Sequence, residues 1–158
     1  MKLHIKQTKT GKGVFAGERI AKGALIIKMS GQRLPWRKVE PLVLSGTLSV
    51  DDPFQVGEDM FVVLDPEPRY FNHRCDPNAG VGKGEVLFAL RDIEKGEEIT
   101  FDYSSVVCVH CDWCMQCACD YFLCRGVVKH ARSVPKARLQ KYAKVGALPQ
   151  FIKKELSL

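Results

Sequence analysis

The chain has 158 residues, 46% hydrophobic and 27% charged, which fits one globular domain and excludes both a disordered polymer and a large multidomain assembly. Residues 129–158 hold eight of the 24 Lys and Arg and one of the 18 Asp and Glu, so the net +6 divides into +7 there and −1 over residues 1–128. No apolar run approaches the roughly 20 residues of a membrane-spanning helix, and Met1-Lys-Leu-His-Ile-Lys6 lacks the roughly 7–15 apolar residues of an export signal, so an intracellular, reducing setting is expected.

In chain order, apolar alternation predicts short strands at 3–6, 13–16 and 24–27, punctuated by Gly11, Gly13, Gly17, Gly23 and Gly31. A short helix is expected near Leu42–Leu44, and further strands at 59–64, 85–90 and 98–101. Pro53, Pro66, Pro68 and Pro77, with Gly80, Gly82, Gly84 and Gly96, bring turns too often for long helices. The body therefore reads as mostly β. The best helix lies at 135–145, where Pro135 suits a first turn and Gly146 a stop, and it carries Lys136, Arg138, Lys141 and Lys144. These cations form either the solvated face of a terminal helix or a surface that attracts DNA or acidic protein.

Six of the seven cysteines fall within residues 108–124, and an odd count without an export signal favours metal over disulfides. Cys117-Ala-Cys119-Asp-Tyr-Phe-Leu-Cys124 puts three thiols on one loop; structural zinc takes four ligands, and Cys75, outside the cluster, is the natural fourth. Cys108, Cys111 and Cys114 read as reduced thiols or alternative ligands ahead of a second metal site with His110.

Asn72-His73-Arg74-Cys75-Asp76-Pro77-Asn78 and Phe101-Asp102-Tyr103 are each weak signals alone. Taken in order with Gly11-Lys-Gly-Val-Phe-Ala16 and the cysteine array, they are far more specific. Over about residues 3–128 the chain resembles a SET-domain protein lysine methyltransferase with a zinc-binding post-SET segment. The resemblance implies a mostly β, β-clip-like SET fold of short strands and small sheets with a pseudoknot, a zinc-bound post-SET loop and a short C-terminal helix. The corresponding division is a SET domain over 1–107, a cysteine-rich segment over 108–128 and a basic extension over 129–158.

The resemblance also implies roles. Lys12, Gly13, Val14 and Phe15 look like the first loop binding S-adenosylmethionine, which leaves as S-adenosylhomocysteine. Arg69, Tyr70, Asn72 and His73 belong to a second block that holds the methionine end and adenine. Tyr103 supplies the central hydroxyl and touches the cofactor. Phe101 stands where Phe permits di- and trimethylation, while Cys75, Cys117, Cys119 and Cys124 hold structural zinc. The implied substrate is lysine in a basic protein tail, histone or histone-like, in the cytoplasm or on chromatin. Three departures from the family pattern matter: Met29 stands in place of an active-site Tyr, Arg74 in place of Ser, and Asp120 in place of Gly. Met29 keeps a non-catalytic peptide- or cofactor-binding member open as an alternative. A zinc-dependent nucleic-acid-binding module accounts for the cysteines and the basic tail, but not for Asn72, His73 and Tyr103.

Overall fold

The computed structural model describes residues 1–158. In chain order the strands are β1 (Leu3–Thr8), β2 (Gly11–Ala16), β3 (Leu25–Lys28), β4 (Gly31–Pro35), β5 (Pro53–Gly57), β6 (Met60–Leu64), β7 (Asn72–His73), β8 (Ala79–Val81), β9 (Val86–Ala89), β10 (Thr100–Phe101), β11 (Met115–Gln116) and β12 (Val127–Val128). The helices are α1 (Trp36–Leu44), α2 (Lys136–Val145) and α3 (Gln150–Leu156). Five small sheets result: the hairpin β1–β2, the triplets β3-β9-β8 and β4-β6-β5, and the pairs β7–β10 and β11–β12. Only β7 and β10 pair in parallel, placing Asn72 beside Thr100 and His73 beside Phe101. This pairing joins the two polar motifs, whose paired residues lie 28 positions apart in the chain.

The mostly β expectation and its strand positions hold. The sequence does not signal β4, β5, β7, β8, β11 or β12: Gly31-Gln-Arg-Leu-Pro35 buries no residue, Pro53 opens β5 at a sheet edge, and the other four are only two or three residues long. α1 begins at Trp36, earlier than expected, and accommodates Pro41 inside it. α3 follows Pro149 and was also not anticipated. Gly31 is required at its site: its φ is +154°, and a Cβ there would stand 2.1 Å from the carbonyl oxygen of Val63 on the neighbouring strand. Gly31→Ala is therefore expected to lower unfolding free energy by at least about 3 kcal/mol, read from urea titration, because backbone rather than a mobile side chain must move.

Two apolar cores form. The first packs Val14, Ile20, Met29, Phe71, Leu87 and Ile99 between the sheets. The second gathers Ala131, Val134, Leu139, Tyr142, Leu148 and Ile152, so residues 129–158 fold onto the body rather than trail from it. Gly80 admits that packing, since a Cβ there would meet the Ala147 methyl at 2.7 Å. Lys136, Lys141 and Lys144 face solvent, while Arg138 is half-buried, 3.6 Å from Asp76 and over the Tyr121 ring. No helix is long and apolar enough to cross a membrane.

Candidate active site and cysteine centre

The parallel β7–β10 pair positions the polar site. Asn72 leans across to β2, where its Nδ2 donates to the Lys12 carbonyl at 3.0 Å and to Glu98 Oε1 at 2.7 Å. Gly13 makes this approach feasible: a Cβ there would fall 2.3 Å from Glu98 Oε1 and 3.0 Å from Asn72 Nδ2. Both amide hydrogens of Asn72 are thus engaged, and its Oδ1 remains an acceptor beside the Glu98 carboxylate. The Lys12 ammonium lies 5.1 Å from the Tyr70 ring centre. Val14 turns into the core and its carbonyl accepts from Ile99 N, while Phe15 lies under Lys6. Arg69 sits apart from this cluster, facing a cavity with its Nε 4.0 Å from Asp52.

His73 is buried and both ring nitrogens are used within the protein. Tyr103 N donates to Nδ1 at 3.2 Å, which places the neutral ring's proton on Nε2, 3.3 Å from Cys75 Sγ. Burial, reinforced by the Arg125 guanidinium, drives the imidazole down to about 3, so the ring is neutral. Tyr103 donates its hydroxyl to the Phe71 carbonyl at 2.8 Å. Burial raises that phenol above its ordinary range, and the proton stays on the oxygen. The Tyr103 ring lies 4.9 Å from that of Phe101, whose ring in turn meets Phe54 edge-on at 6.2 Å.

Tyr103, Phe101, Phe71 and the buried Met29 line one part of a cavity of about 550 Å³. Trp36, Phe61 and Trp113 line another part, so the cavity unites β5, β6, the start of α1 and the cysteine-rich segment. Met29 therefore presents a thioether, with no hydroxyl, to the space that Tyr103 faces.

Asp102 belongs to the Phe101-Asp102-Tyr103 motif, but the sequence assigns it no role of its own. Here it is 1% exposed. Its Oδ1 accepts from Ser104 N at 3.1 Å and from Arg125 Nη2, and its Oδ2 accepts from the Tyr142 hydroxyl at 3.3 Å. Burial pushes the carboxyl upward, and Arg125 with the Ser104 amide pulls it back toward ionisation. Three segments meet at this group: the loop after β10, the cysteine loop and α2.

The thiols of Cys75, Cys117, Cys119 and Cys124 lie within 4.8 Å of one another, with Cys75 and Cys117 3.7 Å apart. Tetrahedral zinc with bonds of ≈ 2.3 Å needs sulfurs about 3.8 Å apart, so this donor set fits the ion. Backbone N–H groups already aim at the sulfurs, Arg125 N toward Cys75 at 3.5 Å and Gly126 N toward Cys124 at 3.4 Å. Burial pushes the Cys75 and Cys117 thiols up; at Cys119 burial acts the same way, but N–H groups of Cys75 and Tyr121 outweigh it and bring the thiol to about 7. Four such thiols in one small space ionise together only against a cation.

Cys108 and Cys111 depart from the expected reduced thiols: they form a disulfide, leaving Cys114 exposed and free. The turn between them brings their α-carbons to 5.5 Å, inside the range a disulfide spans, and Cys108 N is held by Gln55 Oε1 at 2.8 Å.

A SET-domain family model matches residues 11–104, the stretch that carries Lys12, Asn72, His73 and Tyr103. The chain belongs to the SET-domain family. This SET chain is 36% identical over 120 residues to a variant-silencing SET domain-containing protein of Plasmodium falciparum, covering 65% of this chain and 5% of that one. It is 31% identical over 130 residues to the histone-lysine N-methyltransferase ash1 of Drosophila melanogaster, covering 75% and 6%. The methyltransferase domain of human histone-lysine N-methyltransferase SETMAR superposes with a TM-score of 0.63 at 24% identity, over 82% of this chain and 59% of that domain, and shares the fold. The SET chain thus spans a small part of the curated relatives it matches, from 5% to 32% of the first three.

Proposed function

We propose that this SET chain is an S-adenosylmethionine-dependent protein-lysine N-methyltransferase that acts on a basic protein segment, histone or histone-like, with structural zinc in the cysteine centre. The observation that carries the reading is the Tyr103 hydroxyl. Its proton is committed to the Phe71 carbonyl at 2.8 Å, so its lone pairs are left to accept from an amine in the adjoining cavity. The relatives named histone-lysine N-methyltransferases support the same chemistry.

When bound, S-adenosylmethionine would supply an electrophilic methyl for a lysine nitrogen, leaving as the thioether S-adenosylhomocysteine while the nitrogen's proton would go to solvent. The protein's part is placement. Asn72 Oδ1 and the Glu98 carboxylate suit the ammonium of the methionine moiety, and Lys12 offers a cation to its carboxylate. Tyr103 aims the nitrogen lone pair by accepting an N–H, which is catalysis by orientation. Because the amine must be neutral and free lysine titrates near ≈ 10.4, the apolar walls of Met29, Phe101 and Phe71 favour the uncharged form by desolvation, against the acidic residues that line the rest of the cavity. Arg69, Tyr70, Val14 and Phe15 shape the surroundings; the His73 side chain is spent on Tyr103 N and Cys75.

The test is transfer of labelled methyl to a panel of basic proteins including histones by zinc-loaded protein. Label on lysine is expected; no transfer while calorimetry shows the cofactor bound would favour the binding-only reading that Met29 keeps open. Product multiplicity depends on Phe101, which is 3% exposed and lacks a hydroxyl to hold water beside the nitrogen. The native protein is expected to yield di- and trimethyl-lysine with excess cofactor, and Phe101→Tyr chiefly monomethyl-lysine, read by mass spectrometry; monomethyl product alone from the native protein contradicts this.

A further inference from the structure

The cavity beside Tyr103 carries a charge opposite to that of the whole molecule. Five acidic residues, Asp51, Asp52, Glu58, Asp59 and Asp112, line it with a single cation, Arg69, on a chain of net +6. Arg69 is paired with Asp52, and Glu58 lies 3.6 Å from Lys154. Asp51, Asp59 and Asp112 have no cationic partner. Two of these carboxylates are attached to tryptophans: Trp113 Nε1 donates to Asp51 Oδ1 at 2.8 Å, and the Trp36 backbone N donates to Asp59 Oδ1 at 3.2 Å. Trp36 is 37% exposed and otherwise packs against Phe61.

An indole face beside an uncompensated carboxylate suits guanidinium better than ammonium. Guanidinium is planar, weakly hydrated and able to stack and pair at once, whereas ammonium is a compact, strongly hydrated point charge. The apolar walls strengthen these charges locally, while salt screens the distant positive surface beyond roughly 8 Å. Resting on the methyltransferase reading above, we propose that the cavity mouth docks a polypeptide in which arginine flanks the acceptor lysine. One guanidinium lies on the Trp113 indole against Asp51, and Asp59, held by the Trp36 backbone N, provides a second carboxylate for a further guanidinium. Substrate choice then follows from neighbours of the lysine as well as from the lysine itself.

Short peptides with one lysine flanked by Arg, Lys or Ala separate the possibilities, titrated by calorimetry into zinc-loaded full chain saturated with S-adenosylhomocysteine. Arg-to-Ala replacement in the peptide is expected to weaken Kd about tenfold, and Arg-to-Lys about threefold. The advantage of arginine shrinks with Asp51→Asn and disappears when Asp59→Asn is added. The peptide series uses only native protein, so the test does not depend on the variants folding. Equal affinity for Arg- and Ala-flanked peptides, with methyl transferred equally to both, overturns the docking proposal and leaves the methyltransferase reading standing. Neither binding nor transfer for any peptide, with cofactor still bound, overturns both.

Discussion

Stripping the metal is expected to abolish cofactor binding and methyl transfer together. Residues 114–128 contribute little to either core; the two-residue pair β11–β12, the Arg125–Asp102 contact and the four clustered thiols are what order them. In a segment that short, metal-binding free energy is folding free energy, about 10–16 kcal/mol for structural zinc in peptides, comparable to the whole stability of a domain. The damage spreads through Arg125, whose Nε and backbone N approach Cys75 Sγ at 3.5 Å while its Nη2 neutralises buried Asp102. Cys75→Ser should reproduce the effect of chelator. Zinc content, near-ultraviolet dichroism and cofactor calorimetry on the same sample check it; chelated protein that still binds cofactor at full affinity would refute a structural role for the metal.

Tyr103→Phe is expected to lower kcat by roughly 10²–10³-fold, the scale for one preorganised hydrogen bond in a reaction centre, while the KM for cofactor moves less than about threefold. The substitution removes only an oxygen, so the ring packing against Phe101 and His73 persists. It also leaves the Phe71 carbonyl without its donor, a loss of about 1–2 kcal/mol of stability. Thermal unfolding therefore accompanies the kinetics: a small drop in Tm with a large drop in kcat identifies orientation of the amine, whereas parallel losses of kcat and stability identify a structural tyrosine.

The longer apolar strands, the family and the four-thiol centre were legible because each rests on local pattern or on residue types with few alternative uses. Cys117, Cys119 and Cys124 leave one ligand missing, and a lone Cys75 satisfies the count. Glu98 and Asp102 were hidden for the opposite reason: carboxylates beside turns normally face water, and only the β7–β10 pairing shows one against Asn72 and the other against Arg125. Cys108 and Cys111 were unreadable since a C-x2-C spacing serves ligation and disulfide formation equally. The negative cavity was hidden too. Its acids come from 51–59 and from Asp112, which the fold joins, while the +6 total points the other way.

Asp102 has a consequence for how the protein emerges from the ribosome. A nascent chain that has released only residues 1–107 already contains every polar motif of the family match, yet it would have to bury this carboxylate with neither the Arg125 guanidinium nor the Tyr142 hydroxyl. A carboxyl group buried without these partners is unfavourable, whether it stays ionised or takes up a proton, so β10 and Tyr103 are less stable until the later residues arrive. Release of residues 125–142 thus completes the surroundings of Tyr103, and nascent chains stalled before residue 125 should remain more open to protease at the loop after Phe101.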